Sequence, residues 1–277
     1  MIHLIRIFHC ILLLVGLLVS YPIVLFSQDF QFSYKMIVHQ DSTNLNFVKE
    51  ENAFLFVKDN SKSYFFSENF AKKDSILKLI EEGKVSAVDI VGNPTNLYHT
   101  HLNQHISKFY NTFEIEIFER ILMKNYKYKY QSNFNWKIQP DSAVIKGYRC
   151  HKALGFFGGR LYEAWFTREI PIQDGPYVFC GLPGLIVEIY DSKKHYHFTL
   201  LSVRKLDNLP FLTSPYFSKG AIETTRKQVF EVRERLRTQP LLVLQAEGVN
   251  ILETPELEQK RKQKQKTDNN PLELRVD

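Results

Sequence analysis

Residues 179–191 read FCGLPGLIVEIYD, a Gly/Pro cluster running straight into leucine and β-branched residues. Within Leu182-Pro183-Gly184-Leu185, proline pre-sets φ for the second position of a turn, and glycine supplies the positive φ that a type II turn needs at the third. Strand alternation resumes at once, with Leu185, Val187 and Ile189 facing one way and Ile186, Glu188 and Tyr190 the other. The stretch reads as a tight turn feeding a strand. It is not a phosphate loop, because it lacks the Lys-Ser or Lys-Thr ending and does not open a helix.

The same period of two recurs outward from it. FQFSYKMIVHQ (30–40) puts Phe30, Phe32, Tyr34, Met36 and Val38 on one face, and AFLFVKD (53–59) with SYFFSEN (63–69) reads as a hairpin. YKYKY (126–130), SAVIKGYRCHKALGFF (142–157), GRLYEAWFTREIP (159–171) and KHYHFTLLSVRKL (194–206) continue as strands parted by Gly or Pro. The abundance of Phe (22) and Tyr (14) suits pleated, half-buried surfaces. The period changes twice. Phe70, Ile76, Leu77 and Ile80 recur at helical spacing, predicting a helix over 70–82, and Ile222, Val229, Val232 and Leu236 predict another over 219–237, stopped by Pro240. The predicted fold class is α+β, with a large curved antiparallel β-sheet or half-barrel and two helices.

Both ends differ from this block. Residues 1–27 carry one charge at Arg6, an apolar run from Ile7 to Phe26 and a small residue at Ser27, the pattern of a secretory signal peptide; an uncleaved anchor is the alternative. Residues 28–252 read as one β-rich domain. The tail 253–277 holds six positive and six negative charges with few residues able to build a core, which predicts a disordered end. KRKQKQK (260–266) within it is suited to peripheral contact with an anionic surface. The remaining positive charge is diffuse, and an exported chain seldom meets nucleic acid, so no nucleic-acid partner is expected.

GYRCHKA (147–153), GRLYEAWFTREIPIQDGPY (159–177) and GLPGLIVEIYD (181–191), in that order and spacing, resemble the GLPGLI family of exported Gram-negative envelope proteins. The resemblance is specific over about 125–205. It implies an exported, β-rich, single-domain protein, periplasmic or secreted, and it brings no catalytic residues with it. Beyond the family, long antiparallel strands with a helix near each end resemble, by analogy of architecture alone, the half-barrels of periplasmic lipoprotein carriers, which hold acyl chains on a concave sheet face.

Four constellations are candidates for chemistry or binding. Cys150 and Cys180, an even pair in an exported chain, are a disulfide candidate; the alternative is two independent thiols. His99, His101 and His105 form a metal-like spacing, with Asp89 available to complete a set, against a plain surface histidine group. Glu163, Asp174, Glu188 and Asp191 supply carboxylates, although the two-carboxylate separation that hydrolysis needs is not set by sequence spacing; the alternative is cross-strand pairing, with Asp174 shaping the turn before Gly175. Tyr162, Trp165, Tyr177, Leu182, Pro183 and Gly184 crowd around the turn and are expected to border a ligand or partner surface, against packing inside a hairpin hinge. There is no Gly-x-Ser-x-Gly elbow and no His-Glu-x-x-His helix. The expected function is a binding protein that takes a hydrophobic small molecule or an envelope protein on its sheet, with no cofactor. The runner-up is a metal-dependent or carboxylate-based hydrolase.

Overall fold

Alternation in the first predicted strand becomes β1 (Asp29–His39), with Phe32, Tyr34, Met36 and Val38 buried and their neighbours half-exposed. In this computed structural model the described residues are 28–86, 100–122, 124–207, 209, 220–249 and 252–276. The expected leader at 1–27, and His99 and Asp89, lie outside them. β2 (Val48–Lys58) and β3 (Lys62–Ser67) form the expected hairpin, and β4 (Gln104–Phe109), β5 (Glu114–Ile121) and β6 (Lys124–Gln131) extend the meander. β7 (Lys137–Ile145), β8 (Tyr148–Phe157), β9 (Arg160–Thr167), β10 (Leu185–Asp191) and β11 (Tyr196–Leu206) form a second meander, whose last strand pairs with β1. The two-residue β12 (Ile222–Glu223) adds a parallel edge to β6. All twelve strands belong to one sheet, ordered β12-β6-β5-β4-β3-β2-β1-β11-β10-β9-β8-β7.

The connection from β6 to β7 forces this sheet to bend. The two strands stand ten spacings apart in the sheet, roughly 48 Å if it lay flat. The link 132–136 can reach only about 20 Å. The sheet must therefore curl until its edges approach, yet they stay unpaired, so it is an open half-barrel. The short link crosses the concave side, where Phe134 lies 5.7 Å from Phe179 and 5.5 Å from Phe157, ring to ring.

The chain's own loop fills much of that concavity. Between β9 and β10, residues 168–184 turn inward and bury Ile172, Tyr177, Val178, Phe179 and Leu182. Phe179 sits 4.6 Å from the Tyr162 ring, and Tyr34 donates to the Ile186 carbonyl at 2.7 Å. Inside the same packing Lys108 is ion-paired with Asp174 and donates to the Gly175 carbonyl at 2.6 Å. Asp174 does shape the turn, since its Oδ1 accepts from the Gly175 amide at 2.7 Å.

The Gly/Pro stretch does feed strand β10, but its turn is not the expected type II. The Gly184 amide donates to the Leu182 carbonyl at 2.8 Å, one residue tighter than a β-turn, and the Leu185 amide donates away to Ile170 at 3.0 Å. A bulge between Ile186 and Glu188 then breaks the strict alternation, and Leu185, Ile186 and Val187 are all buried.

Among the described residues four helices form where two were expected. α1 (Glu68–Glu81) covers the outer face through Phe70, and Ser67, rather than Asn69, caps it by accepting from the Phe70 amide at 3.0 Å. α2 (Arg226–Thr238) begins later than predicted, because Thr225 and Gln228 make a capping box and the preceding residues are spent on β12. Pro240 does end α2, but it also opens α3 (Pro240–Ala246). The predicted disordered tail is instead α4 (Pro255–Thr267) followed by an ordered segment to 276. Helix α4 is polar all round; Thr254 caps it, and Glu256–Lys260 and Glu258–Lys262 pair along it at 2.8 and 2.5 Å. Among the described residues no helix is long and apolar enough to cross a membrane.

Candidate functional site

One end of the concavity is left unfilled. There a cavity of about 810 Å³ opens between the strand ends and helices α2 to α4. Its apolar wall comes from Val38 and Ile121 on the sheet, Leu102 just before β4, Leu236 on α2, Leu244 on α3 and Leu257 on α4. Its rim is basic, with Arg237 from α2 and Lys260, Arg261 and Lys264 from α4. Thus KRKQKQK is part of a helix whose Lys260, Arg261 and Lys264 stand at the mouth of an apolar hole. Arg237 and Arg261 are held by Glu234 and Glu253, which keeps the rim only moderately positive.

Polar side chains from the sheet meet the C-terminal segment at the inner end. Arg160, 5% exposed, reaches Asp191 at 3.2 Å, the Asn270 side chain at 2.7 Å and the carbonyls of Pro271 and Leu272 at 2.6 and 3.1 Å. Asp191 also accepts from the Tyr196 amide at 2.7 Å. Glu273, 3% exposed, accepts from the Tyr177 hydroxyl at 2.6 Å and from Arg226 at 3.2 Å, with Arg233 at 3.5 Å. Arg226 itself stacks over Tyr130 and Phe157. Glu119 accepts from Gln104 at 2.8 Å on the cavity wall, and burial pushes its carboxyl above the usual range against the pull of Arg233.

The six residues expected around the turn do not share a surface. Tyr162 and Tyr177 are wholly buried, Leu182 is 1% exposed, Gly184 is enclosed, and of the four that lie in the loop only Pro183 faces out. Trp165 has the opposite parity and lies on the outer face, where its indole donates to Glu163 at 3.0 Å. The packing alternative therefore holds for Tyr162 and Leu182, while Tyr177 alone of the six lines the cavity. The reason is geometric: the loop was read as surface because it is punctuated by Gly and Pro, yet it folds into the bend of the sheet.

The other constellations are also separated. His101 is exposed at the cavity wall, whereas His105 is buried on the outer side with its ring 5.5 Å from Phe66. Among the described residues no three His, Cys, Asp or Glu side chains cluster as metal ligands would. Of the carboxylates, Glu163 pairs with Lys152 at 2.7 Å, Glu188 with His197 at 2.8 Å, Asp191 with Arg160, and Asp174 with Lys108. The cross-strand pairing alternative fits, though Glu163 and Glu188 pair with Lys152 and His197 instead of the expected Arg160 or Arg168. Sequence reading missed Arg226, Arg233, Asn270 and Glu273. The capping box before Arg226 was a usable signal; the two tail residues carried none.

The expected disulfide is not formed. Cys150 and Cys180 are both free and buried. Cys150 sits on β8 opposite Thr167, while Cys180 bridges Asp174 within the inner loop and lies 3.1 Å from the Ser132 hydroxyl. Each thiol thus has its own local partner, and the two Cβ atoms are not presented to each other. Burial pushes the Cys150 thiol up to about 11 and raises Cys180 as well. At pH 8 both should react with an aromatic disulfide reagent at least about a hundredfold more slowly in the native protein than in denaturant. Rapid native labelling of either would contradict this burial.

A family model described as "Protein of unknown function (Porph_ging)" matches residues 160–188, the strand β9 and inner loop, rather than one bearing the GLPGLI name. No match was found among curated proteins. Among solved structures, two crystal forms of PNGF-II are similar at 14% and 13% identity, over 74% and 76% of this chain, with TM-scores of 0.48 and 0.49. This chain spans about a third of their length, 32% and 34%. A putative outer membrane lipoprotein-sorting protein domain from Vibrio parahaemolyticus is 5% identical over 66% of this chain and 87% of its own, at a TM-score of 0.30. A LolA superfamily protein from Nitrosomonas europaea is 10% identical over 69% and 92%, at 0.29.

Proposed function

We propose that this is an exported binding protein that takes the hydrocarbon chain of a small amphiphile into the cavity between its bent sheet and helices α2 to α4. The observation that carries the reading is the cavity itself: its volume of about 810 Å³ falls within the roughly 300–1,000 Å³ typical of small-molecule sites. Its lining mixes aliphatic side chains from β1, β5 and three helices with polar ones, and apolar surface left in water is unfavourable by about 25 cal/mol per Å². An acyl chain would cover it. The leader-like pattern of residues 1–27 supports export to the periplasm or beyond, where lipid ligands are at hand.

The test is native mass spectrometry of the delipidated protein titrated with oleyl alcohol, a neutral long-chain probe. One equivalent should bind. Leu236→Glu, which puts a charge into the wall, should weaken binding by about tenfold or more, the cost of leaving a charged group in apolar surroundings. If oleyl alcohol does not bind, or binds the variant equally well, the cavity is not the site.

A further inference from the structure

The inner end of the cavity and the partners of Glu273 are the same residues. Tyr177 and Arg233 line the cavity, and both face the Glu273 carboxylate. So one carboxylate, delivered by the chain itself, sits where the deep end of an apolar hole meets two guanidinium groups and a phenol. The segment that carries it also intrudes on the cavity, since Pro271 and Leu272 form part of the wall.

The donors gathered there exceed what Glu273 uses. Tyr130 Oη, Tyr162 Oη and Arg226 Nε are buried with no hydrogen-bond partner among the described residues, and Arg233 makes only long contacts, Nε 3.6 Å from Glu119 and Nη2 3.5 Å from Glu273. Burial first, and then the charge of Glu273, raises the hydroxyl pKa of Tyr130 and Tyr177, so both phenols stay donors facing that carboxylate. Buried donors in such number are expensive unless an anion or polar group can engage them. The segment is tied down at separate points, by Asn270 to Arg160 and to the His39 carbonyl, and by the Leu274 amide to Gly158 at 2.7 Å. Displacing Glu273 therefore loosens the residues after it, by way of the adjoining Leu274–Gly158 contact, while Asn270 keeps the rest of the segment attached.

Resting on the reading of the cavity as an acyl site, we propose that Tyr177, Arg226 and Arg233 form the head-group site for a carboxylate amphiphile, and that Glu273 is its resident competitor, displaced when the ligand's carboxylate enters. The hydrocarbon chain then lies along Leu102, Leu236 and Leu244, and the head is fixed by charge-assisted hydrogen bonds in a place shielded from water. Binding and release of the C-terminal segment become one equilibrium, so each ligand molecule must outcompete an intramolecular carboxylate.

The experiment compares oleate with oleyl alcohol on the full chain and on Glu273→Gln, which keeps the side chain's shape and removes its charge. Oleyl alcohol should bind both alike, while oleate should bind Glu273→Gln about tenfold or more tighter than wild type, the worth of one charge-assisted contact. Adding Arg233→Met to Glu273→Gln should take the oleate gain away. Should the variants fail to fold, trypsin on the wild-type chain gives the same answer: oleate should speed cleavage after Arg275, and oleyl alcohol should not. Binding of neither probe would overturn the cavity reading and this proposal with it. Binding of both, with oleate indifferent to Glu273→Gln or to the protease readout, would overturn the head-group site alone.

Discussion

Lys108→Met should destabilise the protein by about 3–5 kcal/mol, the usual cost of stripping one partner from a buried ion pair. Lys108 is 2% exposed and Asp174 is wholly buried, in the core that joins the inner loop to β4. The gain from the intact pair is small, because both charges have left water to make it. The loss on breaking it is large, because the buried Asp174 carboxyl would be left with only the Tyr110 hydroxyl and the Gly175 amide as donors among the described residues. The Gly175 carbonyl would also lose its buried donor. Lys108→Met combined with Asp174→Asn should recover at least about half of the loss, since the amide oxygen still accepts from Gly175 and no buried charge is left unpaired. Urea unfolding followed by tryptophan fluorescence measures both. A single variant within about 1 kcal/mol of wild type would mean that the loop does not dock as described.

This buried pair marks the boundary of what the sequence makes legible. Lys108 lies in QHISKF (104–109), which has no regular alternation, and nothing near it announces a partner on a loop 66 residues further on. The elements themselves were readable: period two in 29–39 and 160–167 reflects one buried face, and the change of period at 70 reflects a helix. These are local signals, set by how side chains repeat along a backbone. The order of the strands, the bend imposed by the link 132–136 and the inward course of 168–184 are non-local, and composition carries no trace of them. The tail shows the same limit most plainly. Asn270 and Glu273 read as solvated because they are polar, but they are buried against Arg160, Arg226 and Tyr177, 47 to 110 residues away. A polar residue can be core wherever its partners come with it. The cavity was legible only in halves, with leucines in one place and basic residues in another, and the two meet through α2 and α4.

Gly184→Ala should be the most damaging single-methyl change in the chain, with a loss above about 4 kcal/mol or no cooperative transition at all. A Cβ at this position would lie 2.0 Å from the Thr167 carbonyl oxygen, 2.7 Å from its carbon and 3.2 Å from Arg168 Cα. All three are backbone atoms at the end of β9, where Thr167 is already paired with Leu185 and Cys150, so no rotamer change relieves the clash. A φ of +148° adds a conformation that alanine rarely adopts. Gly181 provides the control: its φ is +87°, but nothing lies within 4 Å of where its Cβ would be. Gly181→Ala should cost only about 1–2 kcal/mol, the backbone strain alone. Pro183 is exposed, and Pro183→Ala should cost about 0.4–1 kcal/mol through the freer unfolded chain. The three variants, compared by thermal and urea unfolding, separate the three physical roles that one short motif combines. If Gly184→Ala proved as mild as Gly181→Ala, the loop would not pass against the end of β9, Tyr177 would not be fixed at the cavity's inner end, and the site built around it would lose its geometric basis.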